Sequence, residues 1–223
     1  MEREIIIIVD PMCSWCWGFS PVVEAIDREY ADTAPVSLVA GGLRPLTTEP
    51  MDDGMKAEIR HHWEDVQKAS GQPFEFSFFE RNGFVYDTEP PCRALVTVRG
   101  LKPEATVPFL AAAHKAFYAE NRDVTDGKIL QELASNEGID PDVFIKAFSS
   151  REMTYATSND FYRSQALGAR GFPTVILRTG EKLALLCAGF RPFDDLKAHL
   201  DEWIAEKGED QEYPETEDVA AVE

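Results

Sequence analysis

The sequence predicts an α/β fold in which two β-bearing ends share one sheet and a long helical insertion separates them. Three observations carry this. An apolar run at residues 5–9 opens a strand–helix–strand pattern within about forty residues. Helical patterning then dominates residues 51–168. Strand character returns at 174–177 and again at 182–188, around a Thr179-Gly180 turn.

Residues 5–9 read Ile-Ile-Ile-Ile-Val, a β-branched run suited to a central strand buried on both faces. Asp10-Pro11 ends it, and a helix is expected over about residues 14–30, with Pro21 kinking it. Residues 36–40 form the second strand, closed by Gly41-Gly42, so the unit is a βαβ with a right-handed crossover. The insertion holds expected helices at 51–70, 90–98, 104–120 and 126–136, the last capped by Thr125. The third of these carries Leu110, His114 and Phe117 on one face, and His114 reads as a satisfied core residue. Asp140-Pro141 caps a further helix with Phe144 and Phe148 one turn apart. A helix precedes the 174–188 hairpin, and a final helix capped by Asp194 runs to about Lys207. Neither β-bearing end buries its faces alone, so the two must meet. The expected division is residues 1–46 with 156–207 as one discontinuous domain, 47–155 as the helical insertion, and 208–223 as an acidic disordered tail.

The 223 residues carry a net charge of -18. Phosphate binding needs clustered Lys and Arg, so nucleic acid is excluded as a partner class. From residue 208 onward there are seven acids and no base, the pattern of a solubilising tail. The 5–9 run is too short for a membrane span or a signal segment, and a cytoplasmic location is expected. In a reducing compartment the four cysteines point to reactive, metal-bound or buried thiols rather than a disulfide framework.

The chemistry-bearing motif is Cys13-Ser14-Trp15-Cys16. A C-x-x-C pair alone is half a zinc site, a redox pair or chance; placed between a buried strand and a helix, it favours redox chemistry. Residues three apart on a helix share a face and come within reach of a disulfide. Cys13 would stand at the helix start, where unpaired N–H groups favour an anion and lower its thiol pKa. Cys13 is then the attacking sulfur and Cys16 resolves the mixed disulfide. Ser14-Trp15 offers no imidazole, which predicts a less oxidising pair. Trp15 and Trp17 read as apolar cover. Cys92 opens a helix and is a candidate second redox thiol, although burial is the plainer reading. Cys187 lies in an apolar strand and should be buried. His61-His62 cannot share a ligand site on a helix, no second ligand pair completes a zinc site, and no metal is expected. Glu58, Glu64 and Asp65 read as a solvated helix face.

Residues 10–19, Asp-Pro-Met-Cys-Ser-Trp-Cys-Trp-Gly-Phe, resemble the active-site segment of DsbA-family proteins, closest to the cytoplasmic FrnE-like branch. Gly41-Gly42-Leu43, Asp87-Thr88-Glu89-Pro90 with Cys92-Arg93-Ala94, Ala116-Phe117-Tyr118 and Gly171-Phe172-Pro173-Thr174 match as well. The resemblance spans about residues 5–207. It implies a thioredoxin-like fold with a large helical insertion, and dithiol–disulfide exchange on protein or peptide thiols, as oxidoreductase or isomerase. It also implies that Pro173 is cis and faces the cysteines, with Phe172 and Trp15 meeting substrate and the Phe172 backbone serving as a strand edge. The aliphatic first strand lacks the buried carboxylate that some relatives use as proton acceptor; Asp10 is the nearest acid. No cofactor beyond the dithiol is implied, with glutathione as a co-substrate. Two alternatives are a glutathione-dependent isomerase of the 2-hydroxychromene-2-carboxylate type, against which Cys16 argues, and a non-catalytic chaperone-like binding module.

Overall fold

The computed structural model describes residues 2–206. The expected acidic tail lies outside the described residues; the last helix, expected to run to about Lys207, ends at Ala205. Strand β1 (Arg3–Val9) leads into helix α1 (Ser14–Tyr30) and strand β2 (Val36–Ala40). The insertion follows as α2 (Asp53–Ser70), α3 (Glu89–Leu101), α4 (Thr106–Tyr118), α5 (Gly127–Asn136), α6 (Pro141–Phe148) and α7 (Arg151–Ala166), with a short 3-10 turn at Phe76–Glu80. Strands β3 (Thr174–Thr179) and β4 (Lys182–Ala188) and helix α8 (Phe193–Ala205) complete the chain.

The four strands form one sheet in the order β2-β1-β3-β4. β1 pairs parallel with β2 and antiparallel with β3, so the two ends of the chain do share a sheet. Central position explains the all-aliphatic β1: Ile5 to Val9 are each no more than 1% exposed, because helices cover both faces. Ile5, Ile7 and Val9 look into the main core with α1, α8 and the insertion; Ile6 and Ile8 look the other way, toward Leu167 and Phe172.

The main core runs without a break from β1 into the insertion, through Phe109, Phe117 and Trp63. Trp63 is fully buried and surrounded by Phe74, Phe78, Phe79 and Tyr118 at ring-centroid distances of 4.8–5.2 Å. Asp160 of α7 accepts two hydrogen bonds from the Arg99 guanidinium of α3 (2.7 and 2.9 Å) and one from the Ala40 backbone N–H (2.9 Å). This clamp ties α3 and α7 to the end of β2.

Two expected caps differ. Asp126, not Thr125, caps α5 by accepting from the Lys128 N–H, while Thr125 turns back to Asp123. Asp194 lies inside the first turn of α8, whose cap residue is Pro192; two further residues, Phe193 and Asp194, enter the helix, and the proline's fixed φ suits its edge. Asp140 caps α6 as expected, accepting from Asp142 and Val143. α1 continues through Pro21.

Candidate active site

The turn after β1 places the motif. The Asp10 carbonyl accepts from the Cys13 N–H at 3.0 Å, and the Cys13 carbonyl accepts from Trp17 at 3.0 Å. Cys13 is thus the cap residue of α1, in extended conformation, with no side chain capping the helix and no acid in its first turn. The start of α1 is left to the Cys13 sulfur. Cys13 is 6% exposed and Cys16 is 1% exposed. Burial pushes the Cys16 thiol well above its ordinary range, and its hydrogen bond to the Cys13 sulfur adds to this. Both cysteines are free thiols.

The other chain end supplies the facing wall. The Phe172–Pro173 peptide bond is cis, as the resemblance implies, and the Cys13 thiol donates to the Phe172 carbonyl at 3.4 Å. The Phe172 ring fits because residue 41 is glycine: a Cβ there would lie 2.4 Å from two ring carbons.

Beneath the pair sits Asp10, wholly buried. Its Oδ1 accepts from the Met12 N–H (2.8 Å); Oδ2 accepts from the Leu43 N–H (2.7 Å) and from the Cys92 thiol (3.4 Å). Burial raises its pKa against the pull of these donors. Two of the sequence pieces quoted above, through Leu43 and through Cys92, therefore converge on one carboxylate. Sequence reasoning read Asp10 only as the acid nearest the cysteine pair; its role as a hub depends on contacts 33 and 82 residues away in the chain. Cys92 is fully enclosed, with its thiol pushed well up by burial first and by Asp10 second. Cys187 is buried too, pushed up to about 11 by burial.

His114 departs from expectation. It is wholly buried, with Nε2 at 3.3 Å from the Asp10 carbonyl, but Nδ1 has no hydrogen-bond partner. Burial lowers its pKa to about 4. The Tyr86 hydroxyl donates to the Met12 carbonyl at 2.6 Å and closes the same floor.

Cys13 opens into a cleft of about 220 Å³ whose walls include Trp15, Arg44, Glu58, His62 and Phe172. On the far side of Trp15 and Phe172 lies a more open groove of about 360 Å³, lined by Phe190 and Arg191. Cys13, Trp15 and Phe172 meet at one place; Cys16 stands behind Cys13, and Pro173 is buried beside them. Glu58 is exposed, as expected of a solvated helix face, and also lines this cleft. Arg44, Glu58, His62 and Tyr86 carried no local signal; only the insertion's fold brings them to the cysteines. Among the described residues no cluster of His, Cys, Asp or Glu could hold a metal ion.

A four-stranded sheet with a C-x-x-C pair at the first helix start and a cis-proline loop opposite defines a thioredoxin-fold protein carrying a dithiol site. The chain belongs to the family of the DSBA-like thioredoxin domain, whose model matches residues 4–201. A Nitrosomonas europaea protein, assigned provisionally as a protein disulfide isomerase, is 40% identical, with a TM-score of 0.86 over 92% of this chain and 98% of that one. The cytosolic disulfide reductase DsbM of Pseudomonas aeruginosa is 27% identical, with a TM-score of 0.76 over 90% and 98%. Among curated relatives, the ClpXP adapter protein SpxH of Bacillus subtilis is 22% identical over 77% of this chain, which spans only 57% of that relative's length.

Proposed function

We propose that this protein is a thiol–disulfide exchange enzyme working on protein or peptide thiols through Cys13 and Cys16. The observation that carries this is the Cys13 sulfur at the start of α1, with the Cys16 thiol buried behind it and the Phe172 carbonyl 3.4 Å in front. The Cys13 thiolate attacks a substrate disulfide; a Cys13–substrate S–S bond forms, the old S–S bond breaks, and one substrate thiolate leaves and takes a proton. Cys16 then gives up its proton and attacks the Cys13 sulfur, closing the Cys13–Cys16 disulfide and releasing the second thiol. The substrate gains two electrons and two protons, and the enzyme dithiol loses them. The reverse sequence oxidises a dithiol substrate. Trp15 and the Phe172–Pro173 turn hold the substrate chain beside the sulfur, with the Phe172 backbone pairing to an extended segment.

Glutathione is the proposed co-substrate: two molecules return the enzyme to its dithiol form and leave as glutathione disulfide. The solved complex of DsbM with GSH supports this at 26% identity. The likeness to the cytosolic DsbM supports a cytoplasmic location, and no described helix is long and apolar enough to cross a membrane. Likeness to an adapter protein favours a second reading, a protein-binding role that needs no exchange.

The test is insulin reduction together with Trp fluorescence titrated in glutathione buffers. Cys13→Ser should abolish exchange, and Cys16→Ser should accumulate a mixed disulfide on Cys13. A potential near about −270 mV marks a reductase, and one near about −120 mV an oxidant. Absence of any titrating Cys13–Cys16 couple sinks the exchange reading. Client capture by Cys13→Ser as strong as by the native chain favours the binding role.

A further inference from the structure

The cleft beside Cys13 carries more information than access to a sulfur. At about 220 Å³ it is smaller than pockets for drug-sized ligands, and α2 forms its outer wall, so a folded protein loop does not fill it. Cys13 lines it together with apolar Met12 and Ile59. Two charged side chains of opposite sign, Arg44 from the loop after β2 and Glu58 from α2, line it.

Arg44 makes no ion pair among the described residues; its guanidinium's one hydrogen bond there is to the Met55 sulfur at 4.0 Å. Its backbone is fixed all the same. The Arg44 N–H donates to the Thr88 hydroxyl at 3.0 Å, the Thr88 N–H returns to the Arg44 carbonyl at 3.2 Å, and the adjoining Leu43 is tied to Asp10. The guanidinium is therefore a free donor on an anchored stem. Glu58 is 4.0 Å from His62, one turn along α2, with both side chains more than half exposed, so its carboxylate is only loosely engaged. One unpaired cation and one loosely paired anion share a small cleft with a reactive thiol.

We propose that this cleft selects a low-molecular-weight thiol bearing an α-amino-carboxylate headgroup, with Arg44 holding the carboxylate, Glu58 the ammonium, and the thiol sulfur bonded to Cys13 in the mixed disulfide. A planar guanidinium binds a carboxylate through two parallel hydrogen bonds, which a neutral substrate cannot supply. The groove beyond Trp15 remains open for the protein half of that disulfide. The headgroup site rests on the exchange reading only for what happens at sulfur; binding is separable from it.

The binding test uses S-methylglutathione and S-methylcysteine, which cannot exchange, in calorimetric titrations of the full chain. Both carry the headgroup, at different reach from sulfur, and the tighter one identifies the source. Arg44→Gln and Glu58→Gln should each weaken that binding about tenfold; both sites are exposed, and thermal melts check that the variants fold. A kinetic arm compares glutathione disulfide with neutral hydroxyethyl disulfide. The ratio of their kcat/KM values should fall about tenfold in each variant. Equal affinity across native chain and variants, absence of binding by either probe, or an unaltered ratio overturns the proposal. Arg44-dependent binding without turnover of any disulfide leaves the headgroup site standing and removes the exchange reading instead.

Discussion

His114 shows how one buried residue makes stability depend on pH. Packed against Trp17 and Tyr118 with one ring nitrogen unpartnered, the imidazole stays neutral because charging it in the dry floor is unfavourable. Unfolded, the ring takes a proton near 6.5; folded, only near 4. The unfolded chain thus binds more protons between these values. Stability from this group is full above 6.5, is lost as pH falls through the window, and levels off below 4. The loss amounts to roughly 3 kcal/mol. His114→Phe keeps an aromatic ring against Trp17 and should flatten that slope, read as the difference between native and variant guanidinium melts at about pH 4.5 and pH 7. A slope unchanged by the substitution means the imidazole is charged in the folded state. Asp10 acts in the opposite sense: burial raises it, so its contribution falls as pH rises upward from the ordinary value of 3.8.

At the scale of elements, the site is where the end of β2 meets the loop before β3. Gly41 has its amide bonded to the Val9 carbonyl at 2.7 Å, and its missing side chain is the space the Phe172 ring occupies. Gly41→Ala must push that ring aside, and with it the carbonyl that faces Cys13. The expected result is a fall in insulin reduction on the order of tenfold, since small misplacements at a reacting atom are expensive. Phe172→Ala in the same chain removes the clash and should recover part of the rate. Failure to recover assigns the loss to the β2 end rather than to the ring. The helix caps teach a related lesson. Asp126 and Thr125 are both cap residue types, and the sequence does not rank them; Thr125 is drawn away by Asp123, and Asp126 is left to the helix.

For the whole molecule, the question is whether sheet and insertion act as one body. The core is continuous between them, and the Arg99–Asp160–Ala40 clamp crosses the same junction. Unfolding should therefore be a single transition, with near- and far-UV circular dichroism coinciding in urea. Asp160→Asn leaves Arg99 without its charged partner and should lower stability by about 3 kcal/mol, read from the same curves. Two separated transitions in the native chain contradict a shared core.

Much of this was legible in the chain itself. An all-aliphatic run requires burial on both faces, so β1 had to be central. C-x-x-C after that strand had to start a helix with both sulfurs on one face. Local chemistry determines such features, because propensity, periodicity and turn residues act over a few positions. Tertiary structure decided the rest: that Asp10 collects Leu43 and Cys92, that Gly41 leaves room for Phe172, and that Arg44 and Glu58 line the same cleft as Cys13. These contacts join residues far apart in sequence, and no local preference encodes them. They exist because the insertion must bury its apolar faces against the sheet, and that packing brings the cleft's walls together.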